Sequence, residues 1–445
     1  MLRRKFVGSI IAAVGISGCL EWGNAPRNTE QSEATDWNST KRTPHSPTAT
    51  SVPTSPNRID SEATSTSTPA DQSDSEINPV PPYQGQFIDS GRKLDNFEDV
   101  SHWSGDIRQD TDRSFSGSQS LQLHSTSGEA TAIADYSDDP LDLREADLSF
   151  ACYQDLPDGQ PSMFVDLFAP DADNRLQFKW VYHGYKDLGW QRVDIAPFET
   201  VGNPDLSAVE KVRITLNASK IRVWIDDFRA HPAPDAGKII LRFDDAHEHH
   251  YTDYFPLLSE YGYPGIEAVV LNSVGQRDRL SVAQMQEMQS DGWEMLSHTV
   301  GHDDVTKLSE VELRKNQETM KEWLTENGFE RSSAYFVYPF NHYDGKSLSV
   351  LNDYVDLGFA GGGLGNVAVT NPLTIASVDA EESTARPLEA IDRAAKHRQL
   401  LVLMFHTIDT GQLKKILDHI RDKGDRLDVI NASQLQEEFS RLHSQ

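Results

Sequence analysis

Four stretches of the sequence place ionisable side chains or a proline at the end of an apolar run. Ile239-Ile240-Leu241-Arg242-Phe243 leads into Asp244-Asp245. Two adjacent carboxylates at the end of a buried strand repel each other unless a cation or a proton holds them, or else they cap a following helix. The segment Ser297-His298-Thr299-Val300-Gly301-His302 sets two histidines four residues apart. At that spacing they share one face of a helical turn and can aim ring nitrogens at one metal. The zinc-protease helix needs Glu directly after its first histidine, and Thr299 stands there, so that chemistry is excluded. Two neutral imidazoles and one carboxylate make an open three-ligand site for zinc or a similar divalent ion, with water completing it. In Tyr338-Pro339-Phe340-Asn341 a turn can point a backbone N–H into such a site. Finally, Leu400-Leu401-Val402-Leu403-Met404-Phe405 runs straight into His406, which is either a satisfied core residue or a proton donor at a strand end.

The elements that must position these groups alternate in type. Apolar runs predict strands at residues 239–243, 266–271, 295–297, 335–338, 374–378, 400–405 and 427–430, with amphipathic helices between them, for instance 311–326 and 388–397. Repeated β-then-α units imply a parallel sheet covered by helices, and this many in a row suggests a barrel or a distorted one. Chemistry in such folds collects at the carboxyl ends of the strands, where all four clusters fall. His247, His249 and His250, just past the first strand, either add polar contacts to a substrate or, the favoured reading, hydrate the entry to the following helix.

Upstream, residues 86–232 read as an all-β domain. Period-two alternation predicts eight strands, near 118–123, 130–136, 147–153, 162–168, 175–182, 190–195, 211–216 and 221–228, which indicates a β-sandwich of the jelly-roll kind. Leu176, Phe178, Trp180 and Tyr182 share one strand face and are expected to fill its core. Trp224 alternates with Val223 and Ile225, so it faces the other way, either stacking on a sugar or covering a sheet edge.

In order, Phe243-Asp244-Asp245, His298-Thr299-Val300-Gly301-His302, Phe336-Val337-Tyr338-Pro339-Phe340 and Leu403-Met404-Phe405-His406 resemble the first, second, third and fifth motifs of the polysaccharide deacetylase family, carbohydrate esterase family 4, also called the NodB homology domain. The resemblance covers nearly all of residues 238–430. It implies a distorted (β/α) barrel over residues 236–445 and the removal of acetyl groups from N- or O-acetylated polysaccharide. It also implies a divalent metal, zinc or else cobalt, nickel or manganese, held by Asp245, His298 and His302. Asp244 would be the general base, the backbone N–H of Phe340 an oxyanion donor, and His406 the acid that protonates the leaving group. Three positions depart from the family's pattern. Ala246 stands where Gly is usual, the third motif lacks the Arg that orients the base in many relatives, and the fourth motif has no clear match. Asp379, at the end of the sixth strand, is the expected carboxylate of that fourth motif, with Tyr338 and Pro339 as further neighbours of the site. The segment from Asp95-Asn96-Phe97-Glu98 to Trp224-Ile225-Asp226-Asp227-Phe228 resembles the carbohydrate-binding sandwich modules that accompany secreted polysaccharide enzymes.

Composition bounds the alternatives. The 445 residues allow two domains plus non-globular sequence. A formal net charge of -28 excludes a nucleic-acid binder, and acid spread through folded segments with Lys scarcer than Arg fits a halophilic source. At the N-terminus, residues 1–22 combine a paired-arginine export signal, Arg3-Arg4-Lys5-Phe6, with Ile16-Ser17-Gly18-Cys19, a lipobox whose Cys19 would carry the lipid anchor. Residues 23–85, rich in Ser, Thr and Pro, read as a disordered stalk. Cys19 and Cys152 form no structural disulfide in this reading. The expected location is the outer face of the cell membrane, or secretion, with acetylated polysaccharide as partner and no obligate protein partner. Two rival functions remain: a catalytically silent glycan-binding surface lipoprotein, and an esterase or amidase on small acetylated molecules.

Overall fold

The computed structural model describes residues 85, 87–126, 128–154, 162–181, 188–217 and 221–444. The export signal with Cys19, the expected stalk apart from residue 85, and Tyr182 lie outside the described residues. Among the described residues no helix is long and apolar enough to cross a membrane.

The N-terminal region is built from eleven strands. They are β1 (Arg92–Asp95), β2 (Trp103–Gly105), β3 (Ile107–Asp110), β4 (Ser120–Ser125), β5 (Glu129–Asp135), β6 (Ala146–Gln154), β7 (Ser162–Phe168), β8 (Arg175–Val181), β9 (Trp190–Val201), β10 (Lys211–Asn217) and β11 (Ile221–Pro232). Periodicity finds the eight longer ones. It misses β1 to β3, which are three or four residues long and largely exposed, too short to show alternation. The structure joins the strands in one antiparallel sheet in the order β2-β5-β10-β7-β8-β9-β6-β11-β4-β3, with β1 on β11. β9 serves both halves, pairing with β6 through Trp190–Ile195 and with β8 through Ala196–Val201. Leu121, Phe150 and Ile225 from one half and Val165, Phe178 and Ile214 from the other meet in one buried core. Each such side chain contributes about 1.5–3 kcal/mol by leaving water.

The C-terminal region is a curled parallel sheet of β12 (Gly237–Asp244), β13 (Ile266–Val269), β14 (Glu294–Ser297), β15 (Tyr335–Val337), β16 (Leu357–Phe359), β17 (Val378–Asp379), β18 (Leu400–Phe405) and β19 (Leu427–Val429). Its order is β16-β15-β14-β13-β12-β18-β17, with β19 on β12. The helices are α1 (Phe255–Tyr261), α2 (Val282–Ser290), α3 (Glu310–Glu326), α4 (Gly345–Leu351), α5 (Ala385–His397), α6 (Thr410–Arg421) and α7 (Ala432–His443). Along β12, Ile239, Leu241 and Phe243 join the helix-covered core, whereas Ile240 joins the inner cluster with Val337, Phe359 and Val402. The same alternation turns Arg242 and Asp244 to the inner face at the carboxyl end. The strand expected at 374–378 is instead a short helical turn, Pro372–Thr374, followed by the two-residue β17. Ile375 keeps a single parallel bridge to Phe359 of β16, its amide donating to the Gly358 carbonyl at 2.8 Å, and regular strand resumes only at β17.

The two regions are bonded to each other through buried polar groups. Asn366 Nδ2 donates to the Leu148 carbonyl at 2.8 Å, and the Thr370 amide and hydroxyl donate to Asp194 at 2.9 and 2.6 Å. Leu188 packs among Val305, Leu313 and Tyr338. Between the two regions β11 runs through Pro232, and the Ala233 amide donates to the Glu145 carbonyl at 3.2 Å.

Candidate metal centre

The strand ends β12, β14, β15 and β18 open onto a single site, and its loops hold unusual backbone. Of the ten non-glycine residues with positive φ among the described residues, six lie here: Asp245, Ala246, Thr299, His302, Phe340 and Asn341. Left-handed backbone costs an ordinary residue about 1–2 kcal/mol, so it persists where the surroundings impose it. The departure at Ala246 takes a physical meaning from this: its φ of 54 is what a glycine would adopt without strain. His298 and His302 are not on a helical turn, as their spacing suggested. A loop with left-handed Thr299 and His302, closed by the Asp303 amide donating to Thr299 Oγ1 at 2.7 Å, brings their rings to a centroid distance of 4.9 Å.

Asp245, His298 and His302 converge, with candidate ligand atoms all within 4.8 Å of one another. His298 Nε2 lies 3.8 Å and His302 Nε2 3.5 Å from Asp245 Oδ1. Donors about 2.1 Å from one tetrahedral ion would lie about 3.4 Å apart, so the spacing fits a zinc-sized cation. The tautomer fits as well. His298 Nδ1 faces the Val337 carbonyl at 2.8 Å, so it carries the hydrogen and leaves Nε2 with its lone pair toward Asp245. Burial, against the pull of Asp244, pushes the His298 pKa down to about 4, which keeps the ring neutral.

Asp244 lies beside this triad, 2% exposed. Burial alone would raise its pKa, but the Arg242 guanidinium, by its charge and its hydrogen bonds, outweighs it, so the carboxyl stays below the usual range and ionised. Arg242 grips both oxygens, Nε to Oδ1 at 2.8 Å and Nη2 to Oδ2 at 2.6 Å. Across the site stands His406. Its hydrogen bond to the Glu381 carboxylate raises its pKa, burial opposes, and Asp244 adds to the rise. Glu381 Oε1 accepts the His406 amide at 2.7 Å, and its Oε2 lies 3.6 Å from His406 Nδ1. The carboxylate at His406 is therefore Glu381, not the expected Asp379. Asp379 Oδ1 instead accepts the Glu381 amide at 2.8 Å, a tight turn that projects the later carboxylate forward.

Beneath the site, His250 is fully buried rather than hydrating a helix entry. Its Nδ1 meets Glu267 at 3.0 Å and its Nε2 meets the His406 carbonyl at 2.8 Å, while Glu267 Oε1 also accepts the Ala246 amide at 2.9 Å. Both ring nitrogens face acceptors, so the pair shares a proton, and the Glu267 charge raises the ring's affinity for it against burial. This pair ties the loop after β12 to the end of β18. His247 and His249 remain half-buried above it.

Phe340 is 56% exposed and its ring lies 4.6 Å from that of His302, so its side chain forms part of the rim. Pro339 is buried in the same turn. Tyr338 is not at the site: it is buried between Phe336 and Tyr343 and acts as core. Nor is Trp224 a sugar platform. It is 4% exposed, donates Nε1 to Asp110 at 2.7 Å, and is covered by Tyr153 and by the Arg113 guanidinium 4.1 Å from its ring. Alternation placed it correctly off the main core, but the chain between β3 and β4 folds over that face.

Residues 231–358 match the family model for polysaccharide deacetylase. A putative polysaccharide deacetylase of Bacillus subtilis is 27% identical over 115 residues, 26% of this chain and 41% of that protein. The poly-beta-1,6-N-acetyl-D-glucosamine N-deacetylase of Staphylococcus aureus is 28% identical over 127 residues, 25% of this chain and 43% of that protein. The chain thus spans less than half the length of these curated relatives. Among solved structures, the Xyl-CE4 domain of a multidomain xylanase from the hindgut metagenome of Trinervitermes trinervoides has 17% identity and a TM-score of 0.35, covering 46% of this chain and 92% of that one. A CE4 family pseudoenzyme from Bacillus anthracis has 14% identity and a TM-score of 0.35, covering 47% and 68%. Glu381 and His406 lie beyond the matched residues, yet the fold delivers them to the same rim as Asp245, His298 and His302, which fall within the stretch similar to the polysaccharide deacetylase family model.

Proposed function

We propose that this chain is a metal-dependent hydrolase that removes acetyl groups from an extracellular or cell-surface polysaccharide. The observation that carries the reading is the convergence of three metal donors, Asp245, His298 and His302, with a buried carboxylate and a carboxylate-paired imidazole at one rim. A divalent cation bound there supplies the Lewis acidity that polarises an acetyl carbonyl. Asp244, kept ionised by Arg242, takes a proton from the attacking water as the new carbon–oxygen bond forms. The Phe340 amide, in its left-handed turn, donates to the developing oxyanion. His406, with Glu381 favouring its protonated form, gives its proton to the departing nitrogen or oxygen as the acyl bond breaks. The products are acetate and a free amine or hydroxyl.

The substrate class rests on the matched family and on the named activity of the Staphylococcus relative, which makes poly-N-acetylglucosamine the first substrate to try. The location rests on the lipobox at Cys19 and the Ser/Thr/Pro-rich stalk, which would carry the folded region away from the membrane surface. In the direct test, the full chain supplied with Zn²⁺ releases acetate from an acetylated glycan and Asp244→Ala does not. Equal release by that variant would sink the assignment.

A further inference from the structure

We propose that Arg242 is the residue that positions the base, so that the first strand itself does the work expected of an arginine in the third motif; this rests on Asp244 being the base, as proposed above. Arg242 and Asp244 are two residues apart on an extended strand, which turns both to the inner face. The guanidinium is 1% exposed and meets the carboxylate fork to fork, at 2.8 and 2.6 Å, fixing its plane as well as its charge. A buried ion pair is a poor stability device, because desolvating both charges offsets most of their attraction. The return on keeping one here is geometric. Arg242 Nη1 also donates to Ser377 Oγ at 3.1 Å. Ser377 directly precedes β17, and four residues further on Glu381 holds His406. The guanidinium thus bridges the base on β12 to the segment that orients the acid, and sets the spacing of the two proton-transfer groups.

Val337, in the third motif, lies on the same inner face: it is buried in one cluster with Ile240, which precedes Arg242 by two residues on the same side of β12. An arginine at either place starts from the face of the sheet that carries Asp244, and in this proposal the chain needs one of them. That equivalence supplies the test. In the full chain, Arg242→Met lowers kcat about 100-fold, the loss typical of a misplaced reacting group, with KM within about twofold and one Zn²⁺ still bound per chain. Arg242→Lys keeps the charge but not the fork and recovers less than half of that loss on a logarithmic scale. Arg242→Thr combined with Val337→Arg, which moves the guanidinium across the inner face, regains at least tenfold over Arg242→Met. Its crystal structure shows the introduced guanidinium hydrogen-bonded to both Asp244 oxygens. The swap also serves should Arg242→Met fail to fold. If wild type releases acetate and Arg242→Met matches it within about threefold, Arg242 positions nothing and the inference falls. A folded, zinc-loaded swap variant no better than Arg242→Met overturns it too. A wild type that binds zinc but releases no acetate overturns the proposed function instead, and this inference with it.

Discussion

Replacing Glu381 by Gln removes a full negative charge from beside His406 while keeping the side chain's volume and an oxygen for the His406 and Thr407 amides. The carboxylate oxygen is 3.6 Å from His406 Nδ1, and the two side chains are 24% and 40% exposed. At that distance two unit charges interact by about 1 kcal/mol in water and about 5 kcal/mol at an effective dielectric constant of 20. Because the pair is partly solvated, the lower figure is the appropriate bound. With about 1.4 kcal/mol per pH unit, the His406 pKa falls by nearly one unit in Glu381→Gln. A general acid works below its pKa, and here the raised value keeps it protonated to higher pH. The alkaline limb of the kcat/KM profile for acetate release therefore moves about one unit toward acid, costing about tenfold above the limb and little below it. An alkaline limb that does not move would show that Glu381 does not set the protonation of the acid, and the assignment of His406 with Glu381 would be withdrawn.

Two further outcomes follow from buried groups. Asp147, at the contact between the two regions and 6% exposed, has its pKa raised to about 7 by burial, with a backbone bond from Ala368 opposing and Asp194 adding to the rise. A carboxyl that holds its proton more tightly when folded contributes stability that is complete below about pH 4 and lost as pH climbs to 7, about 4 kcal/mol in all. Urea unfolding of Asp147→Asn is expected to show that much less stability change between pH 4 and 8 than wild type, and an identical pH dependence would refute the buried-acid account. At Ala246, φ 54 tolerates Gly but not a branched side chain. Ala246→Val is expected to lower stability by more than about 2 kcal/mol and weaken zinc binding, with Ala246→Gly close to wild type in both, as thermal unfolding and metal titration would show.

Much of the site was legible because strand ends in a parallel sheet are where side chains converge, and Asp244-Asp245, His298, His302 and His406 each followed an apolar run. Arg242 was legible too, though unread. A charge inside an apolar strand needs a partner, and alternation puts Arg242 on the same face as Asp244. Glu381 was not legible, because its reach depends on the turn that Asp379 closes and on two amides more than twenty residues away. Glu267, a charge inside the apolar run at 266–270, was as legible as Arg242, but its partner His250 lies on another element and spacing alone does not join them. For Trp224, periodicity supplied the direction of the side chain but not what covers it, since Arg113 and Asp110 arrive from another strand and its following loop.

The central claim is that Asp245, His298 and His302 hold a cation that acetyl removal requires. The most direct measurement is titration of the metal-stripped full chain with Zn²⁺, following bound metal and acetate release together. The account predicts that both rise to a break at one equivalent per chain, and that Asp245→Ala binds at least about 100-fold more weakly and regains no activity at the same concentrations. Full acetate release without metal, or an Asp245→Ala variant that titrates like wild type, would contradict it.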